Sequence, residues 1–452
     1  MSHPPTATDV TQDHDEPVVD QANVRRAALA GLVGTALEQY DFVIYGTAAA
    51  IIFNSLFFPD ASPAMGVIAS LGTYAVGFLA RPLGGLFFAR YGDRLGRKWV
   101  LVATLYLMGI ATFAIGLLPT YHQAGILAPA LLVVCRLLQG FGAGAEQAGG
   151  VTLLAETARR SRRGFYTSLV FVGAALGSVL GALAWLLAQR MPEEALQTYG
   201  WRLVFFSSIF VTIAAYVLRR RLHESPVFKE TEKARIGAAD TPIKDVLKNG
   251  RPGLWRVFLI NMGSNGQSYI YQVFLGSYLV TWVGVEASFI PEVLLWGAIG
   301  ACAVTVISGR LTDTLGRKPV ILGVLVFLLA FPIPAFLLID TGNTFLVGLV
   351  VVIGFMMVYG TVGSQGAFYA EMFGSRYRYA GVSIAREFSA VLGGGIAPMV
   401  ASALITWASG SWWPVAIYMM LMVGASIVAT LLSPETRGRD LRLEQDAVTP
   451  AH

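Results

Sequence analysis

The chain has 452 residues, of which 55% are hydrophobic and only 13% charged. Soluble chains carry about 25% charged residues, so composition excludes an ordinary soluble globular protein and points to an α-helical protein that crosses a membrane many times. The net charge of +5 does not indicate nucleic-acid binding, because basic loops beside a bilayer produce the same excess.

Residues 1–23 are polar and acidic (Asp9, Asp13, Asp15, Glu16, Asp20). They lack the basic-then-apolar order of a signal peptide and are expected to be a disordered cytoplasmic tail. Twelve apolar spans follow, near 27–52, 66–89, 99–118, 124–147, 164–189, 200–218, 254–283, 288–308, 319–339, 344–370, 379–407 and 411–432. Residues 24–218 therefore form one six-helix bundle and 254–432 a second, with 219–253 as a cytoplasmic linker and 433–452 as a charged, soluble cytoplasmic tail. An even number of spans places both termini on one side. The loops after spans 2, 4, 8 and 10 hold Arg90, Arg94, Arg97 and Lys98; Arg159, Arg160, Arg162 and Arg163; Arg310, Arg317 and Lys318; Arg376 and Arg378. The loops on the opposite side hold almost no cations, Arg190 excepted, so the positive-inside rule makes that basic side, and both termini, cytoplasmic.

Two turns recur at half the chain length. YGDRLGRKWVL at 91–101 returns as GRLTDTLGRKPVIL at 309–322, pairing Asp93 with Asp313, Gly96 with Gly316, Arg97 with Arg317 and Lys98 with Lys318. LAETARRSRRG after span 4 returns as YAEMFGSRYRYAG after span 10, with Glu156 and Glu371 ahead of basic clusters. Two independent repeats indicate a duplicated chain whose halves enclose a site near the bilayer midplane, a plan used by transporters.

Charges inside spans cost roughly 2.5–3.5 kcal/mol each at the bilayer centre, so each needs a partner, a cavity or a function. Span 1 carries Glu38, Tyr40, Asp41 and Tyr45; span 2 carries Arg81; span 4 carries Arg136 and Gln139, with Glu146 further along; span 11 carries Arg386 and Glu387. Structural salt bridges account for part of this set. The rest fits a polar cavity, where arginine grips a carboxylate with two hydrogen bonds and an acid loads a proton. Asp41 and Glu38 stand equal as the proton acceptor. Span 7 carries Asn261, Asn265, Ser268 and Gln272 along one face. Such a stripe either bonds neighbouring helices or lines a solute cavity, and four polar groups in line favour the cavity. The glycines GFGAG at 140–144 and GGG at 393–395 suit close helix packing and lack the GK[ST] of a phosphate loop. The two cysteines, Cys135 and Cys302, sit in apolar spans with no His or Cys cluster at metal-ligand spacing.

GDRLGRK with its weaker second copy resembles the cytoplasmic signature of the major facilitator superfamily. EQYDFVIYGTAA, ARPLGG, RLLQGFGAGAE, GWRLVFF, RRRLHESPVF and AEMFGSRYRYAGVS resemble, more narrowly, its metabolite:H⁺ symporter family. The resemblance implies an all-α membrane fold, twelve helices in two pseudo-symmetric six-helix bundles, and proton-coupled import of a small organic metabolite by alternating access. It implies a gating motif at Asp93, Arg94, Gly96, Arg97 and Lys98, repeated at Asp313, Gly316, Arg317 and Lys318. It places Glu38, Tyr40, Asp41, Arg81 and Arg136 on the cavity side. Together with Gln139, Asn265, Ser268, Gln272 and Arg386, Tyr40, Arg81 and Arg136 are the expected substrate contacts, the solute being a carboxylate or zwitterion. The expected partners are that solute, protons and surrounding lipid, with the chain monomeric. The proton gradient is the only driving agent expected, with no cofactor, metal or nucleic acid. The sequence departs from the family at Gln39, where a Trp is usual, and at Arg386-Glu387, where many relatives have Tyr-Gln. The rival reading is a proton antiporter exporting a drug or metabolite. An enzyme is not expected, since no nucleophile elbow or catalytic constellation is present.

Overall fold

A computed structural model describes residues 21–95, 97–144, 147–221 and 242–448. The described residues contain helices and turns but no strand. Twelve helical spans follow one another: α1 Gln21–Ile51, α2 Pro63–Leu95, α3 Arg97–Leu117, α4 Leu127–Ala143 resuming as Gln147–Thr157, α5 Arg163–Ala188, α6 Trp201–Phe206 and Ser208–Arg221. The second half comprises α7 Arg251–Tyr269, continued through wider turns to Val283, then α8 Phe289–Leu315, α9 Arg317–Ala330 and Pro332–Ile339, and α10 Thr344–Met372. It ends with α11, Arg378–Ala390 and Ala397–Trp407 joined by the wider turn Val391–Ile396, and α12 Trp413–Leu431.

Seven of these helices are long and apolar enough to cross a bilayer on composition alone. α1 and α7 fall short because Glu38, Gln39 and Asp41, and the Asn and Gln residues of α7, interrupt their hydropathy. That interruption marks the helices facing the molecular axis. Large apolar side chains such as Phe210, Leu421 and Trp407 project outward with more than half of their surface exposed, the belt a lipid-embedded protein needs.

The halves meet along a seam in which α1 packs on α7, α2 and α4 on α11, and α5 on α8 and α10. Within the first half, α2 and α4 touch backbone to backbone: a Cβ added at Gly140 would lie 1.7 Å from the Gly77 carbonyl oxygen. Gly316 separates α8 from α9 at φ 109°, a backbone conformation that side-chain-bearing residues rarely adopt.

Residues 1–20 and most of the linker, 222–241, lie outside the described residues, and Pro242–Asn249 is a helix leading into α7. The segment after Leu432, expected from its charges to be a soluble cytoplasmic tail, is folded back onto one end of the bundle. Glu435 accepts hydrogen bonds from the backbone of Arg317 and Lys318 at 2.9 and 3.0 Å, and Ser375 N donates to Leu443 O at 2.9 Å. Its charges are spent on exposed helix ends, a use that composition does not reveal.

Candidate functional site

Near the centre of the molecule Arg81 of α2 is held by two acids. Its Nη1 donates to Glu38 Oε1 of α1 at 2.6 Å, and its Nε donates to Glu387 Oε2 of α11 at 2.8 Å. Nη2 adds a 3.3 Å bond to Glu387 Oε1, making the α11 grip two-pronged. The guanidinium also lies 5.4 and 5.5 Å from the ring centroids of Phe42 and Phe78. All three charged side chains are nearly excluded from solvent. Glu38 Oε2 has no hydrogen-bond partner.

Arg136 of α4 presents a different picture. It is fully buried, and among the described residues no acid lies within ion-pair distance of it. Nη1 donates to Gln139 Oε1, and Nη2 donates to the Tyr74 carbonyl at 3.1 Å. Nε has no partner. The rings of Tyr45, Tyr74 and Phe42 surround the guanidinium at 4.0, 5.1 and 5.2 Å, the geometry of cation–π contact. Gln139 in turn donates to Thr112 at 2.8 Å. Asp41 is buried beside Thr112 and Gln139, with Arg136 as its nearest cation.

A narrow, nearly closed cleft adjoins this cage, lined by Gln39, Tyr74 and Ser178 of the first half and Tyr269, Gln272 and Phe355 of the second. Gln39 Nε2 donates to Gln272 Oε1 at 3.1 Å across the seam, and Gln272 Nε2 donates to Ser268 at 2.6 Å.

The expected site residues thus separate into groups. Glu38, Arg81 and Glu387 form one cluster; Asp41, Arg136 and Gln139 form a second; Gln272 lines the cleft, with Ser268 behind it as its hydrogen-bond acceptor. Tyr40 turns away and shares a 2.5 Å hydrogen bond with Ser207 of α6. Arg386 lies over the Phe171 ring at 5.1 Å, on another side of α11 from Glu387. Asn265 is half-buried, with its Cβ against the position of Gly393. Asn261, read with the α7 stripe, donates to Ser389 of α11 at 2.5 Å and ties helices together.

A third cluster closes one end of the seam. Arg163 Nη1 donates to Glu371 Oε1 at 2.7 Å, and Arg317 Nε donates to Glu371 Oε2 at 3.1 Å. Arg317 also pairs with Asp313 at 2.7 Å. The Asp313 carboxylate accepts from the backbone of Gly164 and Phe165, both at 2.8 Å; it sits at the positive start of α5, where an anion is favoured. Arg378 reaches back to Glu156 at 2.7 Å. Thr436 of the tail completes the hub by donating to Glu371 at 2.8 Å. The second copy of the repeated motif therefore takes part: Asp313 and Arg317 through side chains, Gly316 through its φ, and Lys318 through 2.7 and 3.0 Å bonds to the carbonyls of Leu431 and Ser433. In the first copy Asp93 and Arg94 end α2, and Arg97 and Lys98 begin α3. Their side chains, Gly96 and Glu146 lie outside the described residues.

Sequence reasoning did not assign Gln39, Glu371, Arg163 or Tyr74 to a site, and it noted Glu387 among the intramembrane charges without giving it a role. Glu371 had a signal, since the repeated Glu-before-arginines turn marks a contact the duplication preserved. Tyr74 had none, because its carbonyl and ring act only once α2 and α4 are packed.

The sequence profile of the Major Facilitator Superfamily matches residues 31–398. The shikimate transporter of Escherichia coli K12 is 34% identical over 94% of this chain and 97% of its own length. The inner membrane metabolite transport protein YhjE of the same strain is 35% identical, covering 96% of this chain and 100% of its own. The proline/betaine transporter of that strain is 33% identical, over 99% and 89%. Among solved structures, the proton:xylose symporter XylE bound to 6-bromo-6-deoxy-D-glucose superposes with a TM-score of 0.72 over 93% of this chain and 98% of that one. At 17% identity this likeness shows the fold. The chain belongs to the major facilitator superfamily: it is a membrane transporter with the twelve-helix, two-bundle fold, and not an enzyme.

Proposed function

We propose that the protein is a proton-coupled symporter that imports a small organic carboxylate or zwitterion by alternating access. The observation that carries this reading is the state of Arg136. A buried guanidinium with no acid at ion-pair distance is costly, and this one, in an aromatic cage with an open Nε and Asp41 acting on it only from beyond that distance, is poised for an oxyanion supplied by a solute. Gln39 and Gln272, the latter bonded to Ser268, offer amide groups across the cleft for the rest of the molecule. Because Gln39 and Gln272 belong to opposite halves, a solute between them would engage both at once, which a rocking carrier requires.

Arg81 is a poorer solute anchor, since two carboxylates already occupy its donors. Asp41 and Glu38 remain the α1 acids for the proton, Asp41 beside the Arg136 cage and Glu38 against Arg81. With the positive-inside side taken as cytoplasmic, the cluster around Glu371 closes the cytoplasmic end, and the described conformation precedes inward release. The relatives that transport shikimate or proline and betaine support a carboxylate-bearing solute. A library of hydroxy acids, aromatic acids and betaines, offered to proteoliposomes under an inside-alkaline pH gradient, tests the reading. Accumulation of at least one carboxylate or betaine is expected; gradient-driven efflux from preloaded vesicles would instead identify an exporter.

A further inference from the structure

The two acids on Arg81 belong to different halves of the molecule. Glu38 and Arg81 both lie in the first half, on α1 and α2, whereas Glu387 lies on α11 in the second. The 2.8 and 3.3 Å bonds from Arg81 to Glu387 therefore cross the seam, and the 2.6 Å bond to Glu38 does not. Which acid holds Arg81 decides whether α2 and α11 are tied. We propose that Glu387 is a second proton-carrying carboxyl, and that one proton passing between Glu38 and Glu387 ties or frees the two halves. The inference rests on the proton-coupled reading above and adds to it the residue through which the proton is felt by the bundles.

The geometry gives the switch its direction. With both carboxyls ionised, two anions share one guanidinium at ion-pair distance, an excess of one carboxylate over Arg81 that Arg386 offsets only from farther off. A proton relieves that excess at either acid. On Glu38, it leaves Arg81 wholly to Glu387 and the seam is tied. On Glu387, it leaves Arg81 to Glu38 inside the first half and the seam is released. The exchange moves only a proton: Glu38 carboxylic acid and Glu387 carboxylate become Glu38 carboxylate and Glu387 carboxylic acid, with no change in total charge. Glu38 Oε2, which has no partner, is the vacant oxygen on the first acid. The other ionisable groups around the cluster are Tyr269 of α7, Arg136 of α4, Asp41 of α1, and Arg386 of α11 itself, with Tyr369 of α10 beside Arg386. None of them is within ion-pair distance of Glu387 among the described residues; Arg81 is.

The test needs no solute. Thr167 of α5 is fully buried against Gly366 of α10 at the closed end, so Thr167→Cys, with Cys135 and Cys302 replaced by alanine, reports opening through its rate of N-ethylmaleimide labelling in proteoliposomes. In this parent the labelling rate, divided at each pH by the rate for the unfolded protein to remove the thiolate's own pH dependence, is expected to rise as pH falls, by up to about tenfold per pH unit, the limit for one proton; the variants' rates are normalised in the same way. Glu387→Gln, a mimic of the protonated acid, should label fast at every pH. Glu38→Gln, which leaves Arg81 to Glu387, should label slowly at every pH. A Glu387→Gln variant that keeps the parent's pH profile, or a parent with no pH dependence, overturns the proposal. If Glu387→Gln does not fold, Glu387→Asp serves: the shorter side chain draws its carboxylate back from Arg81, so the labelling profile should move along the pH axis, and an unmoved profile overturns the proposal. Symport itself is judged separately by gradient-driven uptake, so the two ideas fail independently.

Discussion

Arg163 and Glu371 mirror Arg378 and Glu156 across the seam. In each pair the arginine of one half reaches the glutamate of the other through Nη1 at 2.7 Å. Each arginine also uses Nε to grip a carbonyl eight residues earlier in its own half, Ala155 at 2.8 Å and Ala370 at 3.0 Å. The duplication has preserved a crossed pair of ties. The two are unequal, because Glu371 is fully buried and bound also by Arg317, whereas the Glu156 side chain is 38% exposed.

Glu371→Gln should therefore open the closed end far more than Glu156→Gln. Breaking a buried pair costs about 3–5 kcal/mol, while a partly exposed pair contributes about 0–1 kcal/mol. Labelling of Thr167→Cys by maleimide measures the difference. Equal acceleration by the two substitutions would contradict the inequality of the ties.

Deleting residues 433–452 should act in the same direction. It removes the Glu435 acceptor from the backbone of Arg317 and Lys318 and the Thr436 bond to Glu371, at about 1 kcal/mol for each hydrogen bond lost. Thermal unfolding in detergent together with Thr167→Cys labelling checks this. A truncated chain with unaltered labelling would mean that the tail is passive.

Arg136→Lys keeps a charge but loses the planar fork and its ring stacking. Uptake should show an apparent affinity lowered by about tenfold or more, consistent with about 1.5–3 kcal/mol for one charge-assisted bond. Unchanged affinity would leave Arg136 a structural residue.

Asp41→Asn removes the acid beside Thr112, Gln139 and Arg136 while keeping its size. Gradient-driven accumulation should be lost. Accumulation at the parental level would take Asp41 out of the coupling step and leave Glu38 as the α1 acid.

Gly140→Ala and Gly424→Ala form a matched pair on helices. The first places a methyl 1.7 Å from Gly77 O, and the second meets nothing within 4 Å. Gly140→Ala should sharply lower the yield of folded protein. Gly424→Ala should be neutral or stabilising by up to about 1 kcal/mol. Yield and melting temperature of the purified variants decide.

Much of this architecture was legible in the sequence. Span positions follow from hydropathy, and the repeated turns at Asp93 and Asp313, and at Glu156 and Glu371, report the duplication directly. The positions of Arg81 and Arg136 inside apolar spans marked the interior. Their different situations did not show, because the partners of Arg81 come from helices 43 and 306 residues away, and no local pattern specifies which buried arginine is neutralised. The division within the α7 stripe did not show for a related reason. Asn261 and Gln272 share a face in sequence, but α7 widens at Ile270–Phe274, and the two ends of the stripe meet different neighbours. The tail was read from charge alone, and charge does not distinguish a solvated segment from one bound to helix ends.

The most direct test of the central claim is uptake by the purified protein in proteoliposomes with an imposed inside-alkaline pH gradient. A carboxylate or betaine is expected to rise transiently above its external concentration, and a protonophore to abolish the rise. Uptake that merely equilibrates, with the same rate and extent whether or not the gradient is present, would contradict proton-coupled symport.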